Sequence, residues 1–239
     1  MRVNWNSVKL IGLIACTTGL YAFSEVRSSD RKIKEVHIAF EEGENFYLTE
    51  SAVNKLLIQK YGLLRNAPKE GVVLNTIESV LQTSDMVKNA QVYLTVDGDL
   101  YAKITQRKPI GRVAGAHSFY LDDEGMKMPL SPSHSARVPI ITGEITGKTL
   151  EDAYVILNFI NQDPFLSKNV IGIHIAGESD YHLKFRLEHF VVRLGDTSDL
   201  GEKFKNFKAF YAQATLENTL MSYQVVSLEF DNQVVCTKI

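Results

Sequence analysis

The longest apolar run in the chain, VKLIGLIACTTGLYAFSEV at residues 8–26, constrains how everything after it can fold and where it can reside. As a helix, its 19 residues would reach about 28 Å at ~1.5 Å per residue, close to the ~30 Å hydrocarbon core of a bilayer. Lys9 can extend its charged head towards one interface, and Trp5 and Tyr21 fall where amphipathic rings favour the boundary between lipid and water. No second run of this kind follows. The run is therefore expected to be a single transmembrane anchor, with residues 1–7 as a short tail and the rest of the chain as a soluble body on one side of a membrane.

Two other readings fit the same residues. The strictly apolar centre, residues 10–23, is 14 residues long, within the size of the apolar region of a cleaved secretory peptide. Leu13-Ile14-Ala15-Cys16 resembles the lipid-attachment site of a periplasmic lipoprotein, although apolar character continues through Leu20, Tyr21 and Phe23 where a polar tether would follow. Charge does not set an orientation: Arg2 and Lys9 with the amino terminus on one flank face Arg27, Arg31, Lys32 and Lys34 on the other.

Beyond the run, about 210 residues suffice for two modest domains of ~100 residues each. A formal net charge of −2 and the absence of any basic stripe argue against a nucleic-acid surface, which needs concentrated Lys and Arg. The two cysteines, Cys16 inside the apolar run and Cys236 near the end, form no disulfide framework, and Cys236 reads as a small apolar strand residue.

The first module, residues 32–107, alternates at its start. Val36, Ile38 and Phe40 share one side and Glu35, His37 and Ala39 the other, the period of a half-buried strand. A polar turn, EEGEN at residues 41–45, leads to Thr49 as an N-cap, and Val53, Leu56, Leu57 and Tyr61 recur at helical spacing before Gly62. Asn75 with Glu78 suggests a capping box for a shorter helix carrying Ile77, Val80 and Leu81. The period then returns to two, with Ala90, Val92, Leu94 and Val96, a turn at Asp97-Gly98, and Leu100, Ala102 and Ile104. The order is β-α-α-β-β, an α+β unit with two helices on one face of a small sheet.

Pro109 lacks a ladder donor and restricts Lys108, marking a joint before a second module at residues 108–239. Asp122-Asp123-Glu124-Gly125 reads as a solvated hairpin tip between Phe119-Tyr120-Leu121 and Met126-Lys127-Met128, since its spacing fits no calcium loop. A strand at 138–142 follows, and Thr149 with Asp152 opens a helix ending near Pro164. Strands are expected at 170–176, 181–188 and 190–194. Asp199 with Glu202 caps a helix whose stripe of Leu200, Phe204, Phe207, Tyr211 and Ala214 is core. Extended runs at 223–230 and 233–238, joined by Asp231-Asn232, complete a mixed α/β domain with an extended antiparallel sheet.

Chemistry-bearing motifs are absent from the sequence. The six histidines show no metal-ligand spacing, with His182 and His189 on adjacent strands the only pair that could approach, and there is no phosphate loop, nucleophile elbow or HExxH. Neither catalytic, cofactor nor metal residues are assigned, and enzymatic activity is not expected.

Taken together, the apolar run, the β-α-α-β-β module ending in ITQRKPIGRV at 104–113, FYLDDEGMKMPLS at 119–131, VPIITG at 138–143, NFINQDPF at 158–165 and NQVVCTK at 232–238 resemble the FtsQ/DivIB family of bacterial cell-division proteins. The resemblance implies a cytoplasmic tail (1–7), a single-pass inner-membrane anchor (8–26), a POTRA domain (32–107) and a distal β domain (108–239), both domains outside the cytoplasm at the division septum. It implies a non-enzymatic scaffold that binds the FtsB/FtsL pair, joins other divisome membrane proteins and helps control septal peptidoglycan synthesis. The tail is short for the family. The alternative class is a POTRA-containing envelope assembly or export factor, for which the ~10-residue strands of a following membrane barrel are missing.

In this family FtsB adds as a strand to the C-terminal portion of the β domain. Matched to VVSLEFDN at 225–232, the resemblance places the partner surface on Ser227, Glu229, Phe230, Asp231 and Asn232, with Phe230 either the aromatic anchor or a core residue. An exposed strand edge offers unpaired N–H and C=O groups that accept such an addition. A basic residue used beside this strand in the family would be Arg186 or Arg193 here.

Overall fold

The computed structural model of the chain describes residues 5–29, 32–41, 46–115 and 117–239. Most of the expected tail at 1–7 and of the polar turn at 41–45 lies outside them. The chain divides into two compact units, Met1–Gln106 and Arg107–Ile239.

The first unit opens with helix α1 (Trp5–Ser29). Leu10, Ile11, Leu13, Ile14, Leu20 and Phe23 are all more than half exposed. Among the described residues no helix is long and apolar enough to cross a membrane. Gly12, Thr17, Thr18 and Gly19 dilute the apolar character in the middle of the run, and both threonines turn their hydroxyls back to the Ile14 carbonyl, at 2.9 and 2.8 Å.

Strand β1 (Val36–Glu41), helices α2 (Glu50–Tyr61) and α3 (Leu74–Gln82), and strands β2 (Val87–Leu94) and β3 (Leu100–Gln106) follow in the expected order. The sheet runs β1-β3-β2, with β1 parallel and β2 antiparallel to β3. Parallel neighbours need a long connection, and the two helices lie within it. Thr49 caps α2 by accepting the Ala52 N–H at 3.2 Å, and Gly62 ends it at φ 71°. Val53, Leu57, Ile77 and Leu81 from the helices meet Ala90, Val92, Leu100, Ala102 and Ile104 in one core.

Two sequence expectations change here. Helix α3 begins at Leu74 with no side-chain cap, so Asn75 and Glu78 form no capping box. Glu78 instead accepts the Val92 N–H of β2 at 2.6 Å, because its place one turn into α3 faces that strand's outer backbone. Val96 leaves the alternating pattern for the turn and is 82% exposed, since Thr95 and Asp99 close the chain reversal through their own backbone bond.

The second unit comprises β4 (Pro109–Val113), β5 (Phe119–Asp122), β6 (Lys127–Met128), β7 (Ile140–Gly143), α4 (Gly147–Gln162), α5 (Pro164–Asn169), β8 (Val170–Gly177), β9 (Asp180–Phe185), β10 (Val191–Gly195), α6 (Leu200–Leu216), β11 (Tyr223–Ser227) and β12 (Val235–Lys238). Among the described residues they build a nine-stranded sheet in the order β12-β11-β10-β9-β8-β7-β4-β5-β6. The sheet is mixed rather than antiparallel: β4 and β7, β7 and β8, and β10 and β11 pair in parallel. Helices α4 and α5 carry the chain from β7 to β8, and α6 carries it from β10 to β11, which is what brings those neighbours round in the same direction.

Ile141, Ile173, Ile175, Leu183, Val192 and Val226 face the buried sides of α4 and α6 across a single core. Phe207 sits at its centre, with the rings of Phe185, Phe190, Phe165, Phe210 and Tyr211 at centroid distances of 5.0 to 6.5 Å. Offset and tilted pairs of this kind add roughly 0.5–1.5 kcal/mol each beyond area burial. Sheet and α4 approach so closely at Gly111 that a Cβ there would lie 2.3 Å from the Leu157 side chain.

Helix α4 is capped by Thr146, three residues earlier than expected. Thr146 and Thr149 exchange cap bonds, which buries Thr149, and Asp152 is freed to accept the Tyr181 hydroxyl at 2.6 Å. Asp199 takes the N-cap position of α6 in a left-handed conformation, φ 49°, with no side-chain cap bond. The carboxylates expected at a solvated hairpin tip are not all solvated. Asp122 is fully buried, its Oδ2 2.6 Å from Arg107 Nη1 and its Oδ1 accepting the Glu124 and Met126 N–H groups. The turn needs those two backbone donors satisfied, and a carboxylate does so from inside the loop.

Removing one partner of a buried pair leaves the other charge uncompensated. Arg107→Ala is expected to lower the unfolding free energy of the second unit by about 3 kcal/mol, and Arg107→Ala with Asp122→Asn by less, measured by guanidinium melts. A double variant that loses as much as the two single replacements added together would show that the two charges are not coupled.

Candidate functional site

Leu228 donates its N–H to Arg193, so residues of its parity in β11 face β10 and the alternate ones face β12. Accordingly Val225 and Ser227 pair with Thr237 and Val235. At the far end of β12, Ile239 donates its N–H to Ser222, on the β11 side. The N–H and C=O groups of Cys236 and Lys238 therefore point the other way, where the sheet has no further strand among the described residues.

Strand β11 is thus an interior strand, held by β10 on one side and β12 on the other. Ser227, expected on the partner surface, is 6% exposed and donates its hydroxyl to Glu229 at 2.7 Å. It fixes that carboxylate and offers little surface of its own. Glu229, Asp231 and Asn232 are exposed along the link to β12, with Asn232 in the left-handed region at φ 59°. Phe230 is 49% exposed and belongs to the surface, not the core, because the chain leaves β11 after Ser227 and the strand alternation that would have turned it inwards has ended. Gly195, φ 69°, ends β10 where a Cβ would lie 2.9 Å from the Glu229 side chain, so the link passes close against that strand end.

Of the two basic residues, Arg193 lies on β10 in register with Ser227, exposed on the sheet face away from the helices. Arg186 sits beyond the end of β9 and donates to the Lys168 carbonyl at 3.3 Å. Val235 and Thr237 share Arg193's face, while Cys236 turns towards the core, where burial raises its thiol pKa.

Beyond the strand ends, a cavity of about 560 Å³ is lined by the 228–233 link, the end of β10 and the start of α6. In it, Lys203 reaches Asp196 at 2.6 Å, and Ser198 donates its hydroxyl and N–H to the same carboxylate. These bonds, the Lys203 ammonium first, hold the Asp196 pKa down to about 2.

His182 does not meet His189. Its ring lies 6.1 Å from that of His174, directly across on β8, and its Nε2 is 2.8 Å from Asp180, because the β8–β9 register sets those two opposite while His189 falls in the β9–β10 link. Among the described residues no group of three or more His, Cys, Asp or Glu could hold a metal ion.

The outer backbone of β12 is an open edge that sequence reasoning did not separate from β11. The terminal extended run was legible, but which strand is outermost depends on a crossover through α6 that has no local signature.

A POTRA-like domain model matches residues 31–105, and a model of the FtsQ/DivIB C-terminal related domain matches residues 108–237. The second match alone spans more than half of the sequence, and the chain belongs to the FtsQ/DivIB family, a family of cell-division scaffolds. No curated protein matches it in sequence.

Asp196 has a depressed pKa, so its share of stability is present above the unfolded value near 3.8 and is lost as pH falls through about 2. Carboxyl NMR titration is expected to give a midpoint near 2 in the native chain and a higher one in Lys203→Ala, still below the ordinary carboxylate value because the two Ser198 bonds remain. An unmoved midpoint would mean that Ser198 alone lowers it.

Proposed function

We propose that the chain is a membrane-attached scaffold of the bacterial division machinery that captures the FtsB/FtsL pair by adding a partner strand to β12. The observation that carries this reading is the open outer ladder of Cys236 and Lys238, close in sequence to the exposed ring of Phe230. Main-chain bonds give such an addition its affinity, and side-chain contacts give it specificity. Phe230 is the aromatic anchor, since buried aromatic side chains dominate binding hot spots. Arg193 is the basic residue of the surface, two strands in from the docking edge on the face shared with Val235 and Thr237. Glu229, Asp231 and Asn232 flank the anchor, and Ser227 holds Glu229 in place.

Attachment to the inner membrane, with the two units outside the cytoplasm at the septum, is assigned to α1. The exposed apolar side chains along the helix support it, since apolar surface that the fold leaves uncovered is favoured in contact with lipid. The full chain is expected to sediment with membranes and to be released when residues 8–26 are deleted. Recovery of the full chain in the soluble fraction would refute attachment through α1.

Phe230→Asp is expected to abolish binding of FtsB/FtsL while shifting Tm by no more than about 2–4 °C, since no core contact is removed. In the native complex the amide protons of Cys236 and Lys238 should gain protection from exchange, measured by NMR. Retained binding by Phe230→Asp, or unchanged exchange at both amides, would count against docking on this edge.

A further inference from the structure

The cavity at the start of β12 carries an unusual charge balance. Asp199, Glu202, Glu229 and Asp231 line it along with the Asp196–Lys203 pair. Lys203 is its one ammonium among the described residues, with its side chain only 13% exposed, and it is committed to Asp196 by bonds to both the carboxylate and the backbone carbonyl. Glu229 is engaged by the Ser227 hydroxyl. Asp199, Glu202 and Asp231 are exposed and have no cationic partner among the described residues. Their charges add in a concave space, which concentrates the field on whatever enters.

This cavity lies at the end of the sheet where β12 begins. Gln233, two residues before β12, lines it together with Asn232 and Phe230. A strand laid along the outer ladder of Cys236 and Lys238 and carried past Val235 arrives at the cavity, whichever direction it runs. The other end of β12 presents Lys238. The edge is thus acidic at the start of the strand and basic at its end, and a docked segment must match that polarity.

We infer that the cavity receives a lysine or arginine side chain from the segment that adds to β12, so that the partner carries its positive charge beside the 228–233 link. The inference rests on the β12 docking reading and adds the partner's charge and the end at which it sits. The basic side chain joins the open ladder and Phe230 as a third contact, and it fixes the register of a strand that backbone bonds alone would allow to slip.

The test uses the full chain and the extracytoplasmic segments of its FtsB/FtsL partners, with affinities measured at low and high salt. Asp199→Asn with Glu202→Gln removes two charges at little cost to the fold, because asparagine suits both an N-cap position and a positive φ. This variant is expected to bind about ten-fold more weakly at low salt and to lose most of the native salt dependence. Replacing the partner residue that crosslinks into the cavity, expected to be Lys or Arg, by Glu should weaken binding further. Unchanged or tighter binding by the double variant, while Phe230→Asp still abolishes binding, overturns the charge inference and leaves the edge reading standing. Absence of any binding by the native chain overturns both.

Discussion

Every strand carries peptide groups on two sides, and an open sheet can satisfy only one side of its outermost members. The nine-stranded sheet ends at β6, just two residues long, and at β12. In the smaller sheet the outer N–H of Val92 on β2 is met by the Glu78 carboxylate, so part of that edge is closed from within. Among the described residues, no side chain covers the outer backbone of Cys236 and Lys238 on β12 in this way. What sets β12 apart from the other outer strands, β1, β2 and β6, is its surroundings: an exposed phenylalanine, an exposed arginine two strands in on one sheet face, and an acidic cavity at the end where it starts. The same unmet groups that would invite unwanted association elsewhere become a specific surface when side chains restrict what can lie there.

Much of the architecture was written in periodicity. The α6 stripe of Leu200, Phe204, Phe207 and Ala214 is buried as its spacing implies, and the β-α-α-β-β order of the first unit follows from apolar residues that alternate, then recur at helical intervals, then alternate again. Local rules failed where two residues competed for one role. Thr146 and Thr149 are both capable caps, and the choice fell to Thr146 because Thr149 could then be buried with its hydroxyl donated to the Glu144 carbonyl. The pairing of strands was out of reach for a different reason: β11 becomes interior only because α6 returns the chain parallel to β10, a long-range arrangement with no signature in residues 223–230.

Carboxylates resolve in two opposite ways in the second unit. Asp122, with no access to water, is surrounded by donors: one guanidinium and two backbone N–H groups. Asp199, Glu202 and Asp231 keep their hydration and hold no partner among the described residues. A buried charge must find its counterpart within the fold, whereas an exposed one can wait for a counterpart brought from outside. Both groups are acidic residues at turns or helix starts, and the sequence alone gives no ground for separating them, since burial is decided by which loop folds over which.

The orientation of the β12 ladder also has a mechanical side. Hydrogen bonds between antiparallel strands run perpendicular to the strand axis. Tension applied along that axis stretches all the bonds of a docked strand at once, whereas a sideways pull opens them one after another from the nearer end. A chain tethered at α1 and gripping its neighbour along β12 would therefore resist lengthwise load during constriction and yet let go readily when peeled.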